Sequence, residues 1–249
     1  MTSISHERNL ILISLLVLAA IAWISMILPG TNQNMSMSAS TIALDIFLAA
    51  WIIMMVAMMF PTAAPMILTF ALVHRKKREQ SRPFIPTWIF VAGYIIVWSL
   101  FGILAYFLAA NAYSLMNSST WIMNNAASLS GTLFIFAGLY QLSPLKRACL
   151  SKCRTPFDFI TSSWREGHHG AFIMGVEHGL YCLGCCWLLF LILFPLGLMN
   201  IISMILITVF IFAEKTLPLN KKINYAVAGL LIAYGLLIIF MPAALPIMK

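Results

Sequence analysis

The chain has 249 residues, 62% hydrophobic and 9% charged, with a mean hydropathy of +0.96 and a formal net charge of +8. A soluble domain averages about 25% charged residues, so this composition excludes a cytosolic enzyme, a disordered chain and a disulfide-rich secreted domain. It points to an all-α, polytopic bundle of transmembrane helices forming a single domain. The basic excess then marks inner loops of a membrane protein. No Gly-rich phosphate loop, catalytic Ser motif or aromatic-basic strand pattern is present, which sets nucleic acid and nucleotide hydrolysis aside.

Seven apolar runs are expected to cross the bilayer: residues 9–28, 42–73, 87–110, 120–142, 171–198, 199–213 and 223–245. The first is longer than the 7–15 residues typical of a signal-peptide core, and no small-x-small site follows it, so it reads as an uncleaved span. The loop after it holds Met35 and Met37 in an M-x-M arrangement, a weak outer collecting point for a soft cation. The second run is long and carries Pro61 and Pro65. Each removes a backbone donor, which predicts a kink, hinge or cavity wall. The sixth run is short enough to be a half-helix or a re-entrant segment. Trp51, Tyr94, Trp98 and Trp187 read as interfacial-belt or packing residues. With the N-terminus inside, fourteen of the fifteen Lys and Arg fall on the inner side and only Lys249 lies outside. That asymmetry fits the positive-inside rule for a plasma membrane.

Soft ligands concentrate in two of these runs. In the second, Met54, Met55, Met58 and Met59 project within one broad arc, and thioether sulfur suits Cu(I). The same stripe at helical spacing also suits core packing. In the fifth, His178, Cys182 and Cys185 fall within about 60° of one another on a helix, and Cys186 lies beside them. Glu177 precedes this stripe, and an ionisable pair inside a membrane defaults to function. Gly175 and Gly179 share much the same face, so a second helix is expected to approach closely there. Counting about 1.5 Å per residue, Met54 and Cys182 lie near the midplane, where a shared site is geometrically feasible.

An inner loop adds Cys149 and Cys153 at i, i+4, flanked by Lys146, Arg147, Lys152 and Arg154. The cations are expected to draw the thiols toward thiolate, and a reducing compartment favours metal or redox chemistry over a structural disulfide. His168 and His169 close the same loop. At the end of the sixth run, Glu214 and Lys215 read as a local ion pair before a proton-handling group.

These motifs resemble a prokaryotic family of uncharacterised, predicted metal-binding integral membrane proteins. The resemblance lies in Trp51, Met54-Met55-Val-Ala-Met58-Met59-Phe-Pro61, Tyr140-Gln, Pro144-Leu-Lys146, Cys149-x3-Cys153-Arg154-x-Pro156, Gly179-x-x-Cys182-x-Gly184-Cys185-Cys186-Trp187 and Glu214-Lys215. It implies metal binding and names no reaction.

The expected function is binding of a soft transition metal, Cu(I) before zinc, for transport, delivery or sensing. The candidate ligands are Met54, Met55, Met58, Met59, Glu177, His178, Cys182, Cys185 and Cys186, with Cys149 and Cys153 at the cytoplasmic face. The partners expected are the lipid bilayer, the metal ion and a metallochaperone or copper enzyme. Two alternatives stay open. One is a transmembrane thiol-disulfide electron carrier using Cys149/Cys153 and Cys182/Cys185. The other is an accessory or assembly subunit of a copper-dependent membrane enzyme.

Overall fold

The structure is a computed structural model that describes residues 2–28, 43–78, 85–198, 200–217 and 221–241. Among the described residues every regular element is a helix. In chain order these are α1 (Thr2–Ile27), α2 (Leu44–Arg78), α3 (Thr87–Ser118), α4 (Thr120–Asn124), α5 (Ala126–Gln141), α6 (Pro144–Arg154), α7 (Pro156–Ser162), α8 (Gly167–Leu191), α9 (Leu193–Leu196), α10 (Ile201–Thr216) and α11 (Lys221–Phe240). Met35 and Met37 lie outside the described residues.

Local signals set the boundaries. Ser143 accepts a hydrogen bond from the Lys146 amide (3.1 Å) and Pro144 opens α6, the preferred pairing of a hydroxyl cap with proline in the first turn. Asn200 caps α10 by accepting from the Ser203 amide at 3.1 Å. Between α8 and α10 the chain turns at Gly197, whose φ of +93° is a conformation that glycine adopts without strain.

Among the described residues, five helical stretches are long and apolar enough to cross a membrane: Arg8–Ile27, Leu44–Arg75, Thr87–Ala112, Gly167–Leu196 and Lys222–Phe240. They become six if α5 and α6, bent by 62° at their junction, are taken as one broken span. The expected fourth and sixth spans correspond to α5 and α10, with 16 residues each. At 1.5 Å per residue these reach only about 24 Å. The fourth is shorter than expected because the chain turns at Asn125, between α4 and α5.

α2 packs against α1, α3 and α10; α3 and α6 pack on α8; and α5 pairs with α11. The α3–α8 pairing is close: a Cβ added at Gly175 would lie 2.0 Å from the Phe90 carbonyl oxygen. Glycine there is what admits the neighbouring backbone, as the spacing of Gly175 and Gly179 predicts. Trp51, Tyr94 and Trp98 are buried packing residues, with the Trp51 indole donating to the Trp98 carbonyl at 3.0 Å.

α2 remains helical through Pro61 and Pro65. Pro61 offers no N–H to the Ala57 carbonyl one turn earlier. The Trp23 indole of α1 donates to that oxygen instead, at 3.0 Å. Such rescue by a neighbouring helix is how proline is accommodated where water is scarce, and it ties α1 to the middle of α2.

Candidate metal centre

Periodicity turns His178, Cys182, Cys185 and Cys186 of α8 into the bundle, where all four are buried. α2 brings Met59 to the same place. The Cys182 thiol lies 3.9 Å from the Met59 sulfur, 3.2 Å from the Tyr94 hydroxyl and 3.0 Å from the Lys215 ammonium. Lys215 also reaches the Thr62 hydroxyl at 3.4 Å. The Thr62 hydroxyl in turn donates to the Met59 carbonyl at 3.0 Å. Four helices (α2, α3, α8 and α10) therefore meet at one thiol.

A second thiol group adjoins the first. The Cys185 and Cys186 sulfurs are 3.2 Å apart, and the Cys185 thiol donates to the Cys182 carbonyl at 3.1 Å. Cys153 on α6 stands near enough to Cys185 to act on it electrostatically. The sequence separates a midplane site from a cytoplasmic pair, whereas the structure joins them through Cys153. It is the 62° bend after α5 that lays α6 against α8. All five cysteines are free thiols.

Cys149 has a different setting. It is half-buried against α8, and a Cβ on Gly184 would fall 2.8 Å from its sulfur. Burial pushes the Cys149 thiol up from its ordinary pKa, so withdrawal from water overrides the draw toward thiolate expected from nearby cations.

The remaining candidates divide. Met54, Met55 and Met58 are fully buried in the core around the site. Glu177 turns away from the thiols and pairs with Arg165 at 2.5 Å on the surface. His168 and His169 are exposed at the first turn of α8. Glu214 pairs with Lys146 across helices, at 2.8 Å, rather than with its neighbour Lys215. Gln141 joins this buried pair by accepting from Lys146. Successive residues on a helix are about 100° apart and do not face each other. That geometry separates Glu177 from His178 and Glu214 from Lys215.

His178 is 2% exposed, and neither ring nitrogen has a hydrogen-bond partner among the described residues. Phe90, Tyr94 and Phe159 enclose its ring, with centroids 5.4–5.9 Å away. An unmet buried polar group costs about 1–3 kcal/mol, so the ring is held here at a cost to stability. His178 lines a partly open cavity of about 200 Å³, together with Thr62, Met66, Cys153, Arg154 and Lys215.

Sequence reasoning passed over Lys215, Tyr94 and Thr62 as parts of this cluster. Lys215 carried a signal, since an ionisable residue ending an apolar run is functional by default. Tyr94 and Thr62 carried none.

Among the described residues no group of three or more His, Cys, Asp or Glu side chains is present that could hold a metal ion. The Cys182–Met59 pair instead mixes thiol with thioether. The donor set fits a soft monovalent ion better than a hard one.

A family model described as a copper chaperone, PpoB2, matches residues 48–238. No curated protein and no solved structure matches the chain.

Proposed function

The chain belongs to the PpoB2 family of copper chaperones, and on that premise we propose that it is an integral membrane protein with Cu(I) as its cargo. Cys182 and Met59 hold the ion. Cys153, Cys185 and Cys186 form the thiol path that connects this site with the cytoplasmic end of the bundle. The single observation that carries this reading is the 3.9 Å approach of the Cys182 and Met59 sulfurs beside the Lys215 ammonium. A Cys182 thiolate and the Lys215 ammonium cancel in charge, which makes the site tolerable at depth. Zinc fits less well, because a structural zinc site takes four ligands and no such group stands among the described residues.

The broader frame follows the charge pattern. The N-terminus lies inside a prokaryotic plasma membrane, and α5 and α10 are short spans that complete seven. Apolar outer faces such as Leu10, Ile13, Val209, Leu230 and Phe240, all exposed, meet lipid. The whole chain is one domain. Its role is to pass copper to, or receive it from, a soluble metallochaperone or a copper enzyme.

Anaerobic Cu(I) titration of purified, tag-free protein tests the proposal. Wild type is expected to bind one tight equivalent, and Cys182→Ser to lose it. Unchanged stoichiometry and affinity in Cys182→Ser would refute the site.

A further inference from the structure

The cavity beside the thiols says something about how copper arrives. Its wall carries two cations, Arg154 and Lys215, one thiol, Cys153, and the unpartnered ring of His178. No acidic side chain is among its lining residues. Arg154 donates to the Leu217 carbonyl, which ties α6 to the end of α10 and holds the guanidinium at the cavity wall. A bare cation gains nothing from such an entrance, since two like charges oppose its approach. An anionic complex is attracted. At about 200 Å³, the cavity admits the sulfur end of a small molecule with a flanking carboxylate rather than a folded carrier.

We propose that the cavity lined by Arg154, Lys215, Cys153 and His178 is the docking site for Cu(I) presented by a small anionic thiol. This rests on the copper reading above and names the form in which the cargo is delivered. Arg154 takes the donor's carboxylate, and the donor's sulfur lies against Cys153. The transfer is a ligand exchange without redox change. A bond forms between Cu(I) and the Cys153 sulfur as the bond to the donor sulfur breaks, and the Cys153 thiol proton passes to the departing donor thiolate. Copper remains Cu(I) throughout. From Cys153 the ion passes to Cys185, whose thiol proton returns to Cys153, and on to the Cys182 thiolate and Met59, the Cys185 thiolate so released taking a proton from water.

The test compares two donors with one ion and opposite charge. Under anaerobic stopped flow, Cu(I) is presented as its glutathione complex, which is anionic, or its cysteamine complex, which is cationic. Loading from glutathione is expected to be faster by about tenfold at low salt, a difference of the size that electrostatic steering gives, and to converge with cysteamine at high salt. Arg154→Gln is expected to remove most of that advantage and Arg154→Lys to restore it. Arg147→Gln, on the exposed face of α6, changes neither rate. Equal wild-type rates from the two donors, or an Arg154→Gln variant that keeps the preference, would overturn the docking proposal while leaving Cu(I) binding intact. Failure to bind Cu(I) from either donor and in direct titration would overturn the functional reading with it.

Discussion

Lys146 and Lys215 are both buried, at 1% and 7% exposure, but they rest on different partners. Lys146 lies 2.8 and 2.9 Å from the two oxygens of Glu214, bonds Gln141 as well, and stands over the Phe210 ring. Lys215, one residue beyond Glu214, reaches a thiol and a hydroxyl. A buried ammonium needs a counter-charge or good hydrogen bonds. Lys146 has both, from a carboxylate and an amide. The counter-charge for Lys215 is chiefly what Cys182 supplies, and the Cys182 thiol also lies 3.9 Å from the Met59 sulfur. One lysine clamps α6 to α10, and the other ties the same helix to the Cys182 thiol of α8.

The largest expected effect breaks the clamp. Glu214→Gln leaves the Lys146 ammonium buried without its anion and should destabilise the protein by about 3–5 kcal/mol, measured by denaturation in detergent micelles. Replacing both partners with Met and Leu should recover most of that loss, because the penalty comes from the stranded charge. A milder result for the double variant than for the single one distinguishes a clamp from a site residue.

Lys215→Met should behave in the opposite way. Its removal leaves a thiol that can take up a proton rather than a stranded charge, so stability should fall less than in Glu214→Gln, whereas Cu(I) affinity near neutrality should fall about tenfold because no ammonium holds Cys182 as the thiolate that binds the ion. Equal losses of stability in Lys215→Met and Glu214→Gln would erase the contrast between the two lysines.

Met59→Leu sharpens it further. The swap roughly conserves volume and should cost less than about 1.5 kcal/mol of stability, yet weaken Cu(I) binding. Met54→Leu and Met58→Leu should leave binding as it is. An identical binding loss at all three positions would mean that the stripe acts by packing.

The smallest effect concerns Cys149. Because burial raises the Cys149 pKa, less of it is thiolate near neutrality, so maleimide should label it more slowly than a free cysteine at pH 7. The rate should keep climbing past the ordinary thiol pKa of about 8.5. A labelling rate that levels off below that pH would contradict the burial effect.

How much of this the sequence displays depends on whether the information is local. The inward stripe of α8 follows from 3.6-residue periodicity, and the close approach of α3 follows from Gly175 and Gly179. Composition and charge locate the apolar helices. What the sequence does not display depends on how helices meet. Cys153 joins Cys185 because the chain bends after Gln141 and α6 lies back on α8, a tertiary event that no spacing records. The pairing of Glu214 with Lys146 instead of Lys215 has the same origin. Neighbours in sequence point to different neighbours in space, and the true partner stands 68 positions away. Of the methionine stripe, the sequence gives the burial, while the structure singles out Met59 as the sulfur that faces a thiol.

The central claim is that Cys182 and Met59 share one Cu(I). X-ray absorption at the copper edge of protein loaded anaerobically tests it most directly. A first shell made mainly of sulfur at roughly 2.3 Å, losing sulfur amplitude in both Cys182→Ser and Met59→Leu, is the predicted result. A first shell of nitrogen and oxygen, or a sulfur shell unchanged in either variant, would contradict it.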